Sequence, residues 1–179
     1  MVKRGLLIAG VVATITSALS AQAKDRRSAT ELLTPAELAE AFADRGLANP
    51  ARPPRTRKDT VDLLRDAAMW NWEDHGKPRP TIRWYCAALA LGIPDSASYA
   101  LPVEILSSYQ AYGPAIDVLR EAARRWPRWD WPWRQLVSTY SKARQPAAAA
   151  KVQRQLDAGR IPALPEAMAG GCDHALRRR

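Results

Sequence analysis

Apolar residues recur every three or four positions along most of the chain, a spacing that predicts α-helices and no β-strand. The clearest example is a pair of runs joined by a short turn. The first run alternates small and large apolar residues on one face and ends at a proline, and the second places two aromatic residues and a leucine on one face. In order, these residues are Ala115, Leu119, Ala122 and Pro127, followed by Trp133, Leu136 and Tyr140. Two helices packed closely against neighbours are therefore predicted here.

Helix-boundary residues and the same spacing predict further helices on both sides of this pair. Thr34 and Glu37 have the spacing of a capping box, and Asp59, Thr81 and Asp130 stand where N-caps are expected. The predicted helices of this all-α chain cover about residues 35–45, 59–74, 81–91, 103–112, 113–126, 130–143 and 145–158.

The predicted helix at residues 82–91 is apolar almost all round, with Arg83 as its one charged residue. A helix without a polar face is usually wrapped by neighbouring elements. We therefore expect this helix to form the centre of the hydrophobic core.

Residues 1–23 have the layout of a secretory signal peptide. A positive start at Lys3 is followed by an uncharged apolar stretch over 6–19 and by the small residues Ala21 and Ala23. The apolar stretch is shorter than the roughly 20 residues that a membrane-spanning helix needs. We expect cleavage between Ala23 and Lys24, a periplasmic or secreted mature chain, and no integral membrane span after cleavage.

Composition divides the mature chain into three further segments. Residues 24–58 are charged, with one short helix followed by a basic, proline-rich linker from Asn49 to Lys58. Residues 59–160 form the predicted helical domain. Residues 161–179 are rich in Pro, Gly and Arg, and we expect an irregular tail.

The charge of the mature chain indicates the kind of partner. Removing residues 1–23 takes away two cations and no acid, which leaves 25 Lys and Arg against 18 Asp and Glu and a formal charge of +7. A positive exported protein is attracted to acidic proteins and to anionic envelope surfaces. We therefore expect another envelope protein, with an acidic surface as one form of it, and no nucleic acid.

The two cysteines are Cys86, in the predicted central helix, and Cys172, in the tail. An even count in an oxidising compartment permits one disulfide. Cys86 also fits the role of a small buried hydrophobic residue, but the glycine-rich surroundings of Cys172 do not suit a core position. We favour a Cys86–Cys172 bridge that pins the tail to the helical body.

The chain has few residue patterns that are typical of catalytic, cofactor-binding or metal-binding sites. The sequence has no nucleophile elbow, phosphate-binding glycine loop or paired Cys-x2-Cys motif, and its two histidines, His75 and His174, are far apart. We therefore predict no catalytic, cofactor-binding or metal-binding residue, no cofactor, and no enzymatic activity.

Seven tryptophans occur in the chain, and four of them alternate with arginines in a short stretch before and within one predicted helix. Tryptophan and arginine are the residues most often found as energetic anchors of protein interfaces. Trp133 holds a core position in the helical pattern, and Trp126 fits a position packed under the turn. We expect one of Trp129 and Trp131 to be a surface contact. The predicted partner-binding residues are Trp126, Arg128, Trp129, Trp131 and Arg134.

The run from Ala115 to Tyr140 resembles the junction between two tetratricopeptide repeats, which are helix–turn–helix units of 34 residues. The resemblance is looser over the rest of residues 59–160, and Val137 stands where the family usually has a small, glycine-like residue. It implies a short stack of antiparallel helical hairpins that holds an extended or helical segment of a partner in a groove. An unrelated helical bundle is the alternative fold.

These features together predict an exported protein-binding or adaptor module of the cell envelope. One alternative is an enzyme or accessory protein that acts on the cell wall and stacks tryptophans on sugar rings. Another is a structural subunit of an envelope complex.

Overall fold

The computed structural model describes residues 29–43 and 56–177, and within these ranges every regular element is a helix. The helices are α1 (Ala29–Leu32), α2 (Pro35–Ala43), α3 (Arg57–Trp70), α4 (Pro78–Leu91), α5 (Ala100–Ser108), α6 (Tyr112–Arg125), α7 (Asp130–Lys142), α8 (Pro146–Asp157) and α9 (Cys172–Arg177). A π-helical turn (Asn71–His75) extends α3, and a 3-10 turn (Ser96–Tyr99) leads into α5. The predicted all-α class is confirmed for these residues. The predicted signal peptide, its cleavage site and most of the basic linker lie outside them.

Consecutive helices pack as antiparallel neighbours, with α3 against α4, α5 against α6, and α7 against both α6 and α8. Contacts of α3 with α5 and of α4 with α6 place successive hairpins side by side. The second helices of the three hairpins begin at Pro78, Tyr112 and Pro146, a spacing of 34 residues each time. The fold is therefore a sequential stack of helical hairpins.

Helix α4 lies at the centre of the core, as its apolar sequence predicts. Trp84, Tyr85, Cys86, Ala87 and Ala88 are all essentially inaccessible to solvent. Helix α3 covers one side of α4, α9 covers another, and α1 and α6 make smaller contacts. Burial of each large apolar side chain contributes about 1.5–3 kcal/mol, so α4 supplies a large share of the hydrophobic stabilisation.

The helical pair predicted at residues 115–140 is also confirmed. The three apolar residues of the first run and the three of the second are all buried. Trp133 donates a hydrogen bond from its indole Nε1 to the carbonyl oxygen of Pro127, at 2.9 Å. This bond fixes the tryptophan against the turn between α6 and α7.

The predicted N-caps are right at one position and wrong at three. At Thr34 the capping box is present, since the Thr34 amide donates to Glu37 at 2.8 Å and the Glu37 amide donates to the Thr34 hydroxyl at 3.2 Å. Thr56, rather than Asp59, caps α3, and Asp59 is its capping-box partner. Asp130 is the first residue of α7 and not its cap.

The other wrong cap is Thr81, which lies inside α4. The helix already begins at Pro78, and the Thr81 hydroxyl donates to the carbonyl oxygen of Lys77 at 2.8 Å. Prolines are tolerated there because the first amides of a helix have no partner within it. The basic linker is also shorter than predicted, because Arg57 and Lys58 belong to the first turn of α3.

The helix predicted over residues 103–112 is displaced towards the N-terminus. Helix α5 ends at Ser108, and Gln110 adopts a left-handed conformation with φ of 56°. This turn separates α5 from α6, which begins at Tyr112.

The tail is more ordered than predicted, since α9 follows an irregular stretch. We call residues 160–177 the tail strap, because side chains of the helical stack hold its main chain. Arg120 donates to the carbonyl oxygen of Pro165 at 2.8 Å, and Asp117 accepts the Cys172 amide at 2.8 Å. Arg83 donates to the carbonyl oxygen of Ala175 at 2.7 Å and pairs with Glu37 at 2.7 Å.

The strap is also attached covalently. Cys86 of α4 and Cys172 of α9 form the predicted disulfide, with their Cα atoms 5.1 Å apart. Two glycines permit the close approach: a Cβ atom on Gly113 would lie 2.7 Å from the carbonyl oxygen of Gly170, and one on Gly171 would collide with the Asp117 carboxylate. The bridge is consistent with an oxidising, extracytoplasmic location, because disulfides are rare in the cytosol.

Within residues 29–43 and 56–177, no helix has the length and apolar character needed to cross a membrane.

Replacing Leu119 with alanine is expected to lower the free energy of unfolding by about 2–5 kcal/mol, since its side chain is 0% exposed and truncation leaves a cavity. The matched control is Leu164→Ala on the strap, where the side chain is 41% exposed and the expected change is about 0.5 kcal/mol. Urea unfolding followed by circular dichroism measures both. Equal losses in the two variants would contradict the assigned core.

Reducing the disulfide is expected to destabilise the protein by about 4 kcal/mol, because the bridge joins residues separated by 86 positions and restricts the unfolded chain. Urea unfolding with and without reductant measures the difference. The control is the Cys86→Ala/Cys172→Ala double variant, on which reductant should have no effect. A wild-type midpoint that does not move in reductant would contradict the bridge.

Candidate interaction surface

Four aromatic rings form a continuous series at the junction of α5, α6 and α7, and we call this series the aromatic chain. Tyr99 meets Trp126 edge to face at 5.6 Å between ring centroids, and Trp126 meets Trp129 in the same way at 6.1 Å. Trp129 then stacks on Trp131 at 4.9 Å with an interplanar angle of 22°. Three of the predicted partner-binding residues are therefore joined in one cluster.

The turn between α6 and α7 brings these tryptophans together. Trp126 is the C-cap residue directly after α6. Trp129 precedes the first residue of α7, and its amide donates a hydrogen bond to the Trp126 carbonyl oxygen at 2.9 Å. Trp131 lies in the first turn of α7, one residue before the buried Pro132. The tight turn thus positions the three indole rings.

The three indoles differ from Trp133 in their burial. Trp133 is buried in the core, whereas Trp126, Trp129 and Trp131 are half-buried and keep part of their rings accessible while packing against it. Half-buried tryptophans retain apolar surface that a partner can cover. The turn between α6 and α7 therefore presents a rigid aromatic surface that is not fully buried in the core.

The two arginines predicted with these tryptophans lie at the edge of the cluster. Arg128 is exposed in the turn, and Arg134 forms an ion pair with Asp130 while its side chain stays 75% exposed. Arg125 belongs to the arginines that alternate with the tryptophans in the sequence, but it is not among the predicted partner-binding residues. Its guanidinium lies over the Trp126 ring at 5.9 Å from the centroid.

A groove between α5 and α7 adjoins the aromatic chain, and we call it the α5–α7 groove. It encloses about 480 Å³, and Trp131 forms part of its wall. The other lining residues combine small apolar, hydroxyl, amide and charged side chains: Ala100, Val103, Glu104, Ser107, Ser108, Gln135 and Lys142. These residues could not be predicted from the sequence, because they come from two helices that come together only in the folded chain.

Tyr99, at the inner end of the aromatic chain, is fully buried. Burial raises the pKa of Tyr99 to about 12, although the positive charge of Arg125 nearby acts in the opposite direction. The phenol therefore stays neutral at any physiological pH and serves as a packing residue.

In the described part of the chain, no group of three or more His, Cys, Asp and Glu side chains is placed to hold a metal ion. The absence of a cofactor and of catalysis stays a prediction.

No protein-family model matches the chain, and neither a curated protein nor a solved structure is significantly similar to it. The function proposed below therefore rests on the geometry of the surface.

Between pH 10 and 12 the free energy of unfolding is expected to fall by about 2 kcal/mol through Tyr99 alone. The unfolded chain loses this proton near the ordinary tyrosine value of about 10, but the folded chain retains it until about pH 12, so rising pH favours unfolding. Urea unfolding across this range measures the loss. In a Tyr99→Phe variant the fall should be shallower, and parallel curves for the two proteins would contradict the assignment.

Proposed function

We propose that this chain is an exported, tetratricopeptide-repeat-like adaptor that binds another protein of the cell envelope. The 34-residue spacing of α4, α6 and α8 supports the repeat assignment, as does the side-by-side packing of successive hairpins. In such a stack each hairpin buries its apolar face against the next one, and the remaining surface is available for a partner.

The observation that carries the proposal is the aromatic chain beside the α5–α7 groove. Interface anchors are enriched in tryptophan because the indole offers a large contact area at a small cost in side-chain entropy. Here three half-buried indoles are held rigidly by stacking and by the turn, and Trp131 reaches the groove wall. A segment of a partner lying in the groove would cover the accessible face of Trp131.

The groove chemistry suits a polypeptide segment. Val103 and Trp131 offer apolar contacts, Gln135 offers both a hydrogen-bond donor and an acceptor, and Glu104 and Lys142 provide one charge of each sign. A volume of about 480 Å³ accommodates a few residues of an extended chain or one face of a helix.

A second candidate function follows from the same residues. A flat tryptophan face beside hydroxyl, amide and carboxylate groups also suits a sugar ring, which would make the protein a cell-wall accessory. A structural subunit of an envelope complex is the third candidate, and the mass of the purified mature chain in solution would distinguish it.

Site-specific photocrosslinking in the exported compartment tests the proposal. A crosslinking residue at Gln135 in the groove should capture a partner protein, and one at the exposed Lys151 of α8 should not. Adding Trp131→Ala should weaken the purified complex by about 30-fold, the loss expected for an interface anchor. Trp72→Ala is the matched control, because it removes a half-buried indole that lies in the turn after α3.

Two outcomes would contradict the proposal. One is equal capture from Gln135 and Lys151. The other is Trp131-dependent retention of the purified protein on isolated cell wall, with or without clearing of wall substrate in a zymogram, which would favour the cell-wall role.

A further inference from the structure

A second groove lies between the C-terminal half of α4, helix α6 and the tail strap, and we call it the arginine groove. It encloses about 1140 Å³. Pockets for small molecules typically enclose about 300–1,000 Å³. The groove is therefore large enough for a short polypeptide segment.

Four arginines line the arginine groove: Arg57, Arg120, Arg124 and Arg125. Three of them are fixed by backbone carbonyl oxygens. Arg57 donates to the carbonyl oxygens of Leu91 and Ala90, with a distance of 3.5 Å to Ala90. Arg125 donates to the carbonyl oxygen of Ile93, and Arg120 donates to that of Pro165 in the strap. Arg124 donates two hydrogen bonds to the Glu121 carboxylate in a bidentate ion pair, with both N···O distances at 2.7 Å. The guanidinium groups are thus held in place before any ligand arrives.

These contacts leave donors available. A guanidinium group carries five N–H donors, and Arg57, Arg120 and Arg124 each make two of the polar contacts described. Arg124 is also well placed for a ligand, because its side chain is 57% exposed. Fixed guanidinium groups with spare donors match carboxylates well, since the planar fork can bind both carboxylate oxygens.

The charge of the groove is positive. Its carboxylates are Asp117, Glu121 and Asp173, one fewer than its arginines. Glu121 is shared between Arg124 and Arg125, and Asp117 pairs with Arg120 while also accepting the Cys172 amide. Among the described residues, the contacts of Arg57 are both to carbonyl oxygens and none is to a carboxylate. An anionic ligand would neutralise this excess positive charge.

The walls also carry apolar surface. Leu89 of α4 and Leu176 of α9 line the groove, and Leu164 of the strap is 41% exposed beside it. An exposed leucine next to a fixed guanidinium group suits a ligand that has both carboxylates and apolar side chains.

We propose that the arginine groove binds an extended acidic segment of a partner protein, with Asp or Glu side chains on the arginines and an apolar side chain against Leu164. The tail strap is the third wall of this site, and the Cys86–Cys172 bridge keeps that wall in place. The site uses none of the four rings of the aromatic chain, although Arg125 lies over Trp126 and also lines the arginine groove. Binding at this site does not require the function proposed above.

Binding of a synthetic peptide tests this site. The probe is a fluorescent peptide in which glutamates alternate with two leucines, and its matched control has glutamine at each glutamate. Fluorescence anisotropy with the oxidised mature chain should show at least tenfold tighter binding of the acidic peptide, and its affinity should fall as salt is added.

Variants locate the binding. Arg124→Gln should lower the affinity for the acidic peptide at least tenfold. Arg154→Gln, which removes an exposed arginine of α8, should leave this affinity unchanged. Trp131→Ala should also have no effect. Equal binding of the two peptides, or full affinity in Arg124→Gln, would overturn the proposal.

Two further measurements separate the alternatives. Reducing the disulfide should lower the affinity for the acidic peptide. Unchanged affinity would contradict the proposal that the strap forms a wall of the site. Vesicles containing phosphatidylglycerol should not bind through Arg124. If they bind the wild type and fail to bind Arg124→Gln while the acidic peptide binds neither, the groove recognises lipid headgroups and the peptide proposal is wrong.

Discussion

The structure depends on covering helix α4, which has almost no polar face to offer to water. Its tryptophan, tyrosine, cysteine and alanine side chains would cost a large unfavourable hydration free energy if one side stayed open. Helix α3 covers one side, the next hairpin contributes α6, and α9 returns from the far end of the sequence to cover another. A stack of hairpins leaves its end units partly uncovered, and in this chain the tail strap provides cover that the next hairpin cannot.

The arginines join the stability of this arrangement to its surface chemistry. The last carbonyl groups of a helix have no partner within it, and they carry the negative end of the helix dipole. At the C-terminus of α4, Arg57 and Arg125 donate to these carbonyls and to the residue just beyond them. The same guanidinium groups line the arginine groove. Residues that complete the fold therefore also set the charge of a surface.

Patterns with local causes could be predicted from the sequence. The helical class, the buried run at residues 115–140 and the central position of α4 all follow from apolar spacing, and the structure has all three. The Cys86–Cys172 bridge could be predicted because only two cysteines occur in a chain expected in an oxidising compartment. At Thr56 and Pro78 the prediction failed, since several residues near each helix start are chemically suited to begin it.

Features that depend on distant contacts could not be predicted. Tyr99 joins the tryptophans only because the 3-10 turn packs against α6, and its sequence position gives no sign of this. Helix α9 is too short to show a helical period, and it is held by Arg83, Asp117 and the bridge. The two grooves are likewise made from separate helices, so their linings appear only after folding.

The contact between Gly113 and the Gly170–Gly171 pair has a consequence for finding relatives of this protein. A side chain at Gly113 would meet the main chain of Gly170, and one at Gly171 would meet the Asp117 carboxylate. We therefore expect the start of α6 and the residues before Cys172 to vary together. A glycine followed by proline, and far downstream a Gly-Gly-Cys triplet matched by an upstream cysteine, form a pattern that we expect to be kept when helix surfaces diverge. Distant homologues that share the crossing of strap and helix should be recognisable by this spaced pattern even where overall identity is low.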